Sequence, residues 1–169
     1  VFNANGIGLG GTAPSSGTGI AFPATQSASS DANTLDDYEE GNWTPVIQFG
    51  GAAVGLTYIA QGGKYVKIGQ MVYAGFCISL SNKGSSTGNA SLSGLPFTVA
   101  NDAASRMGTC ASYYDGFAAA ITGILLLSEQ NATNINLRYF AASAAATMTN
   151  THFNNNSTIF GVVIYQASA

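Results

Sequence analysis

The chain has 169 residues and a net charge of −3, with 8% charged and 46% apolar residues. This length fits one domain with a real core. Its five lysines and arginines are too few for the clustered positive charge that nucleic acids and anionic membranes require. The longest apolar run is shorter than a spanning helix, so we also predict no membrane insertion.

Residues 1–40 are rich in Gly, Ser, Thr, Ala and Pro, with few apolar residues between them. Such a composition buries too little apolar surface to offset its ordering entropy, so it predicts an extended arm. The run GIGLGG, from Gly6 to Gly11, matches the dinucleotide pattern G-x-G-x-x-G. That pattern needs a strand before it and a helix after it. Neither is indicated, so we predict no nucleotide or other cofactor.

Residues 41–169 form the predicted folded domain, because strand patterns become dense from Trp43 onward. The segments LTYIAQ and GKYVKIG predict a hairpin around Gly62 and Gly63. MVYAGFCISL alternates, with Val72 and every second residue to Leu80 on one side. About nine short strands at roughly ten-residue spacing predict an all-β fold, an antiparallel β-sandwich of jelly-roll-like form.

Two of these segments, AAITGILLL and IFGVVIY, are apolar on both faces. An antiparallel sandwich normally leaves one face of each sheet in water. An exposed apolar face of that size is unusual on a monomer, so the pattern predicts an oligomer.

Isolated polar residues give little sign of a catalytic or metal site. The single histidine, His152, lies in the polar segment NTHFNNN and has no ligand-spaced partners, which favours a loop residue. Cys77 and Cys110 each lie in an apolar run, which favours two buried thiols over a disulfide. We therefore predict no metal ion and no catalytic residues.

An acidic cluster precedes the only tryptophan. Five of the eight acids lie within the ten residues from Asp31 to Glu40. A solvated junction between arm and domain is the favoured interpretation, with Ca²⁺ binding and paired glycosidase carboxylates as alternatives. The predicted junction residues are Asp36, Asp37, Tyr38, Glu39, Glu40 and Trp43.

The segment SYYDGF predicts a hairpin tip that carries aromatic rings. A pyranose offers an apolar face and a hydroxyl edge, which suit aromatic rings beside polar groups. The rings could equally belong to the core or to an interface. The candidate glycan contacts are Tyr113, Tyr114, Asp115 and Phe117.

The stretch NTLDDYEEGNWTPVI, from Asn33 to Ile47, resembles a TLDDYEEGTWTP-type motif of bacteriophage tail-fibre and related virion proteins. There it introduces a C-terminal β domain, and the segments GLPFTV and TNTHFNNNSTIFGVVIYQ also look like that domain. The resemblance covers most of the chain. Asn42 stands where threonine is more usual, which is a minor departure.

This resemblance implies a non-enzymatic virion structural protein that assembles as a homotrimer at a distal receptor-binding tip. Its partners would be other copies, other virion proteins and a host surface polysaccharide, on the particle's tail or capsid. In this context Trp43 anchors the first strand, and the acids stay in water or pair with Lys64 or Lys67 of a neighbouring subunit. A capsid decoration or cement protein is the alternative, and a glycan depolymerase is less favoured.

Overall fold

The computed structural model describes residues 2–3, 5–11, 14–25, 29–31, 33–118 and 120–168. Within these ranges the chain forms strands and two short 3₁₀ helices, with no α-helix. No helix in this described part of the chain is long and apolar enough to cross a membrane. The strands are β1 (Phe2–Asn3), β2 (Gly6–Gly8), β3 (Gly19–Ala21), β4 (Tyr38–Trp43), β5 (Val46–Phe49), β6 (Leu56–Ile68), β7 (Met71–Lys83), β8 (Ala90–Ser93), β9 (Gly108–Phe117), β10 (Ile124–Ser128), β11 (Asn134–Phe140), β12 (Ala145–Thr147) and β13 (Phe153–Gln166).

The predicted arm contains a small sheet of its own. Strand β2 pairs antiparallel with β1 and parallel with β3. A side chain on Gly6 would place its Cβ 2.0 Å from the carbonyl oxygen of Gly19, so this pairing requires glycine there. The first strand of the large sheet, β4, begins at Tyr38. The boundary between the arm, residues 1–40, and the folded domain, residues 41–169, stays a prediction.

The large sheet has the order β4-β6-β7-β13-β9-β10-β11-β8-β5, and β12 pairs with β11. All of its neighbouring strands are antiparallel. Strands β4 and β5 lie at opposite ends of this order, yet only Thr44 and Pro45 join them along the chain. The sheet therefore curls into a half-barrel. The predicted all-β, antiparallel fold is confirmed, whereas the jelly-roll-like sandwich and the trimer stay predictions.

The core fills the inside of the curl. On β7, the predicted alternation is confirmed, because Val72, Ile78 and Leu80 are buried while Tyr73 is exposed. Strand β13 lies between β7 and β9 and also directs alternate residues into the core. Burial of its Tyr165 raises the pKa of that hydroxyl. Burying these alternating apolar side chains supplies most of the stabilising free energy.

The predicted hairpin around Gly62 and Gly63 is wrong. Strand β6 runs through both glycines without interruption, and the turn comes later, at Gly69 and Gln70 between β6 and β7. Gly69 has a φ of +55°, the left-handed conformation that glycine tolerates best. Gly62 and Gly63 are therefore strand residues, and their role depends on the side chains around them.

Candidate functional site

Of the six predicted junction residues, four lie in β4, an edge strand of the large sheet, and Asp36 and Asp37 come directly before it. Strand β4 pairs with the second half of β6, from Tyr38 opposite Ile68 to Trp43 opposite Gly63. The side chains therefore divide between the two faces of the sheet, and they do not form one acidic surface. Asp36 precedes the strand and accepts a hydrogen bond from the backbone N–H of Ser29 in the arm, at 2.8 Å.

Asp37 is buried, not solvated. Its carboxylate accepts a hydrogen bond from the ammonium of Lys67 in the same chain, and both side chains are almost fully inaccessible. The Lys67 nitrogen also lies 5.1 Å from the centre of the Phe97 ring, a cation–π arrangement. The expected exposure of Asp37 is thus wrong, and its lysine partner belongs to its own subunit. A buried charge is tolerable only when it is paired in this way.

Glu40 lies on the exposed side of β4. It accepts a hydrogen bond of 2.8 Å from the hydroxyl of Tyr38. This bond, together with the nearby negative charge, raises the pKa of Tyr38. No group of three potential metal ligands that could hold an ion occurs in the described part of the chain.

Trp43 ends β4 and is held firmly in place. Its indole Nε1 donates a hydrogen bond of 2.9 Å to the carbonyl oxygen of Gly75 on β7, and its ring meets that of Phe76 edge to face. A Cβ on Gly63 would lie 2.2 Å from the indole nitrogen, so the glycine makes room for the ring. Gly63, one of the two adjacent glycines, therefore makes room for the only tryptophan.

A groove opens where β4 stops. It has a volume of about 740 Å³ and lies over β6 and β7. A second hollow of about 380 Å³ continues from it along β4, and the two share Asn42 and Lys64. Lining the larger groove are Asn42, Trp43, Thr44, Ala60, Gln61, Gly62, Gly63, Lys64, Gly75, Phe76 and Cys77.

Sequence reasoning identified Trp43 of this groove but missed its other walls. The one available signal was the pair Gly62 and Gly63 inside a run of good strand formers. We interpreted that pair as a turn because consecutive glycines are common there.

The four candidate glycan contacts do not come together on one surface. They lie within β9, so the predicted hairpin tip is wrong, whereas their contact with a glycan stays a prediction. Tyr114 and Phe117 pack against the core, whereas Tyr113 is on the outer face. A hollow of about 230 Å³ includes Tyr114, Asp115 and Phe117 but not Tyr113. Gly116, at φ +70°, explains the error, because its turn-like conformation lies where β9 and β13 shift register.

The outer face of the sheet is apolar where β9 and β13 meet. Tyr113 stacks on Phe160 with 5.2 Å between ring centres. Phe160 and Val162 are 38% and 40% exposed, which is high for apolar side chains in a central strand. Cys77 lies directly opposite Phe160 on this face.

Both cysteines are free thiols. Cys110 is exposed and Cys77 partly so, which makes the prediction of two buried thiols wrong. Both were misplaced because apolar runs on β7 and β9 suggested burial on both faces. His152 lies in a 3₁₀ helix, where its Nδ1 accepts a hydrogen bond of 3.1 Å from the Thr149 N–H.

Together these features define an all-β protein with a curled antiparallel sheet, a tryptophan-walled groove and an apolar outer face. No family model and no curated protein matches the chain. Among solved structures, the chain is similar to the crystal structure of the Dettilon tailspike protein (gp208), with a TM-score of 0.64 and 14% identity. The match covers 78% of this chain and 24% of that chain. The chain thus spans about a quarter of the tailspike, and the likeness is one of fold.

Proposed function

We propose that this chain is a non-enzymatic structural protein of a bacteriophage particle, in a tail-fibre-type distal domain that attaches to a host surface glycan. The observation that carries the proposal is the fold shared with part of a tailspike. The tail-fibre-type motif from Asn33 to Ile47 supports the same assignment.

Several carboxylates already have partners within the protein, which supports a non-enzymatic role. Asp37 pairs with Lys67 inside the protein. Glu129 pairs with Arg106, and the Asp102 side chain caps a 3₁₀ helix. Glycoside hydrolysis needs two carboxyl groups facing one cleft. The large groove is lined by Lys64 and uncharged residues.

Electron microscopy of phage particles tests the proposal. Gold-labelled antibodies against the purified chain should decorate the distal end of the tail, and antibodies against a known capsid protein serve as the control. Label spread over the capsid shell would replace the proposal with a decoration protein. Particles that carry no label at all would contradict both.

We also propose that three copies associate through the outer face of β9 and β13. From Thr158 to Ile164, the outward side chains of β13 carry no charge, and two of them are large exposed apolar groups. Water contact with such a surface is unfavourable, so association that covers it releases free energy.

Val162→Lys should weaken the association at least ten-fold, because it forces a charge into the apolar interface. Val162 is 40% exposed, so the substitution leaves the isolated fold intact. Light scattering during size-exclusion chromatography would measure the mass. Thr147→Lys places the same charge on an exposed position of β12, outside the proposed interface, and should leave a trimer. A wild-type chain of monomeric mass, or an unchanged Val162→Lys trimer, would contradict this interface.

A further inference from the structure

We propose that the groove at the end of β4 binds an acidic saccharide residue, such as a hexuronic acid. This inference rests on the proposed function and gives the glycan contact a location other than the four predicted residues on β9.

The groove exists because β4 covers only half of β6. Their pairing reaches from Ile68 back to Gly63, where β4 ends at Trp43. Within the described residues, the first half of β6 therefore has no paired strand on that side. The volume of about 740 Å³ lies within the range of small-molecule sites.

Gly62 is unexplained by the protein's own packing. It lies inside a long strand, it is not among the glycines with positive φ, and a Cβ there would meet nothing within 4 Å. Glycine inside a strand costs stability and often marks a place where a ligand or another backbone approaches closely. Gly63 differs, because the indole of Trp43 excludes a side chain there. Gly62 therefore leaves bare backbone on the outer face of β6, the face that also carries Lys64.

The walls combine an apolar surface with polar groups. Trp43 is 7% exposed, so only a small part of its indole, which is fixed by the hydrogen bond to Gly75 and by the contact with Phe76, lines the groove. Amides and a hydroxyl on the rim come from Asn42, Gln61 and Thr44. A sugar ring presents an apolar face to such a surface and hydroxyls to such a rim.

Lys64 gives the groove a positive charge, and Glu40 lines the adjoining hollow that shares this lysine. Lys64 is the charged residue among those that line the groove, and its Nζ donates a hydrogen bond of 3.0 Å to the neutral side-chain oxygen of Asn42. The described ion pairs are Lys67–Asp37 and Arg106–Glu129, so they do not neutralise Lys64. An ammonium has three hydrogen-bond donors, and the bond to Asn42 uses one of them. Lys64 therefore favours a sugar that carries a carboxylate.

A strand from a second copy is the competing occupant. Regular pairing along the open half of β6 is hindered, because its register shifts on both sides of Tyr58. Such bulges are a common device that prevents strand addition at an edge. The polar rim also fits a saccharide better than a strand.

Trp43 is the only tryptophan, so its fluorescence reports directly on the groove. Titration of the full chain with sodium glucuronate should give a saturable change in emission, with sodium chloride as the ionic control. Glucose should bind roughly five-fold more weakly, since it lacks the contact with Lys64. Lys64→Gln should reduce glucuronate binding to the level of glucose.

Gly62→Val should abolish binding by filling the space over the bare backbone of β6, while its melting temperature stays equal or rises because valine favours strands. Thr147→Val, at an exposed position on β12, is the matched control and should bind normally. The inference is overturned if neither sugar gives a saturable change or if Gly62→Val still binds. It is also overturned if Gly62→Val dissociates the oligomer, because the occupant is then another copy. Tail labelling without sugar binding would defeat this inference alone, and sugar binding without particle labelling would defeat only the proposed function.

Discussion

Trp43→Ala should lower the free energy of unfolding by about 3–5 kcal/mol, the usual loss when a large buried aromatic is truncated. The substitution removes the indole packed against Phe76 and its hydrogen bond to the Gly75 carbonyl. It also leaves a cavity above Gly63, where the backbone has no side chain that could fill the space. We expect the proposed trimer to loosen only indirectly, because its interface on β9 and β13 is separated from β4 by β6 and β7. Chemical denaturation followed by circular dichroism would measure the stability.

Trp43→Phe separates the two contributions of the indole. It keeps an aromatic ring against Phe76 but removes the N–H donor, so we expect a smaller loss than for alanine. If Trp43→Ala leaves both the denaturation midpoint and the oligomeric mass unchanged, the ring does not anchor β4.

Lys67→Met should destabilise the fold by about 3–5 kcal/mol, because it leaves the Asp37 carboxylate buried without its cation. The methionine keeps much of the volume of the lysine side chain, so packing loss is small. Equilibrium denaturation at neutral pH is the appropriate measurement.

The double variant Asp37→Asn/Lys67→Met is the control for this prediction. It removes both buried charges and should regain much of the lost stability, since no unpaired charge remains. Arg106→Met offers a second comparison, because its pair with Glu129 is exposed and should be worth less than about 1 kcal/mol. Equal losses in the free energy of unfolding for Lys67→Met and Arg106→Met would show that burial does not increase the contribution of the Asp37–Lys67 pair.

The class of the fold was predictable because period-two alternation depends only on which face of a strand is buried. On β7, alternation alone gave the buried side correctly from Val72 to Leu80. Strand order was not predictable, because the strands that flank β13 are distant in sequence. Pairing of that kind leaves no local pattern in the chain.

The errors at particular residues arise from tertiary packing that overrides local preference. Gly62 and Gly63 resemble a turn, but one of them makes room for Trp43. Asp37 looked solvated because four other acids surround it in sequence, and its buried partner Lys67 lies thirty residues away. Gly116 adopts a turn conformation without reversing the chain. In each case the deciding neighbour came from another strand.

The central position of β13 has a consequence for how the chain reaches its native state. In sequence, β13 comes after all the other described strands, yet in the sheet it lies between β7 and β9. Until β13 is in place, β7 and β9 each have unpaired backbone groups along one side. The strands on the β7 side of the sheet are then not hydrogen-bonded to those on the β9 side. Ribosomal synthesis proceeds from the N-terminus, so the large sheet cannot be completed while β13 is still being made. Completion of the sheet therefore depends on contacts between residues that are distant in sequence, which makes folding slow.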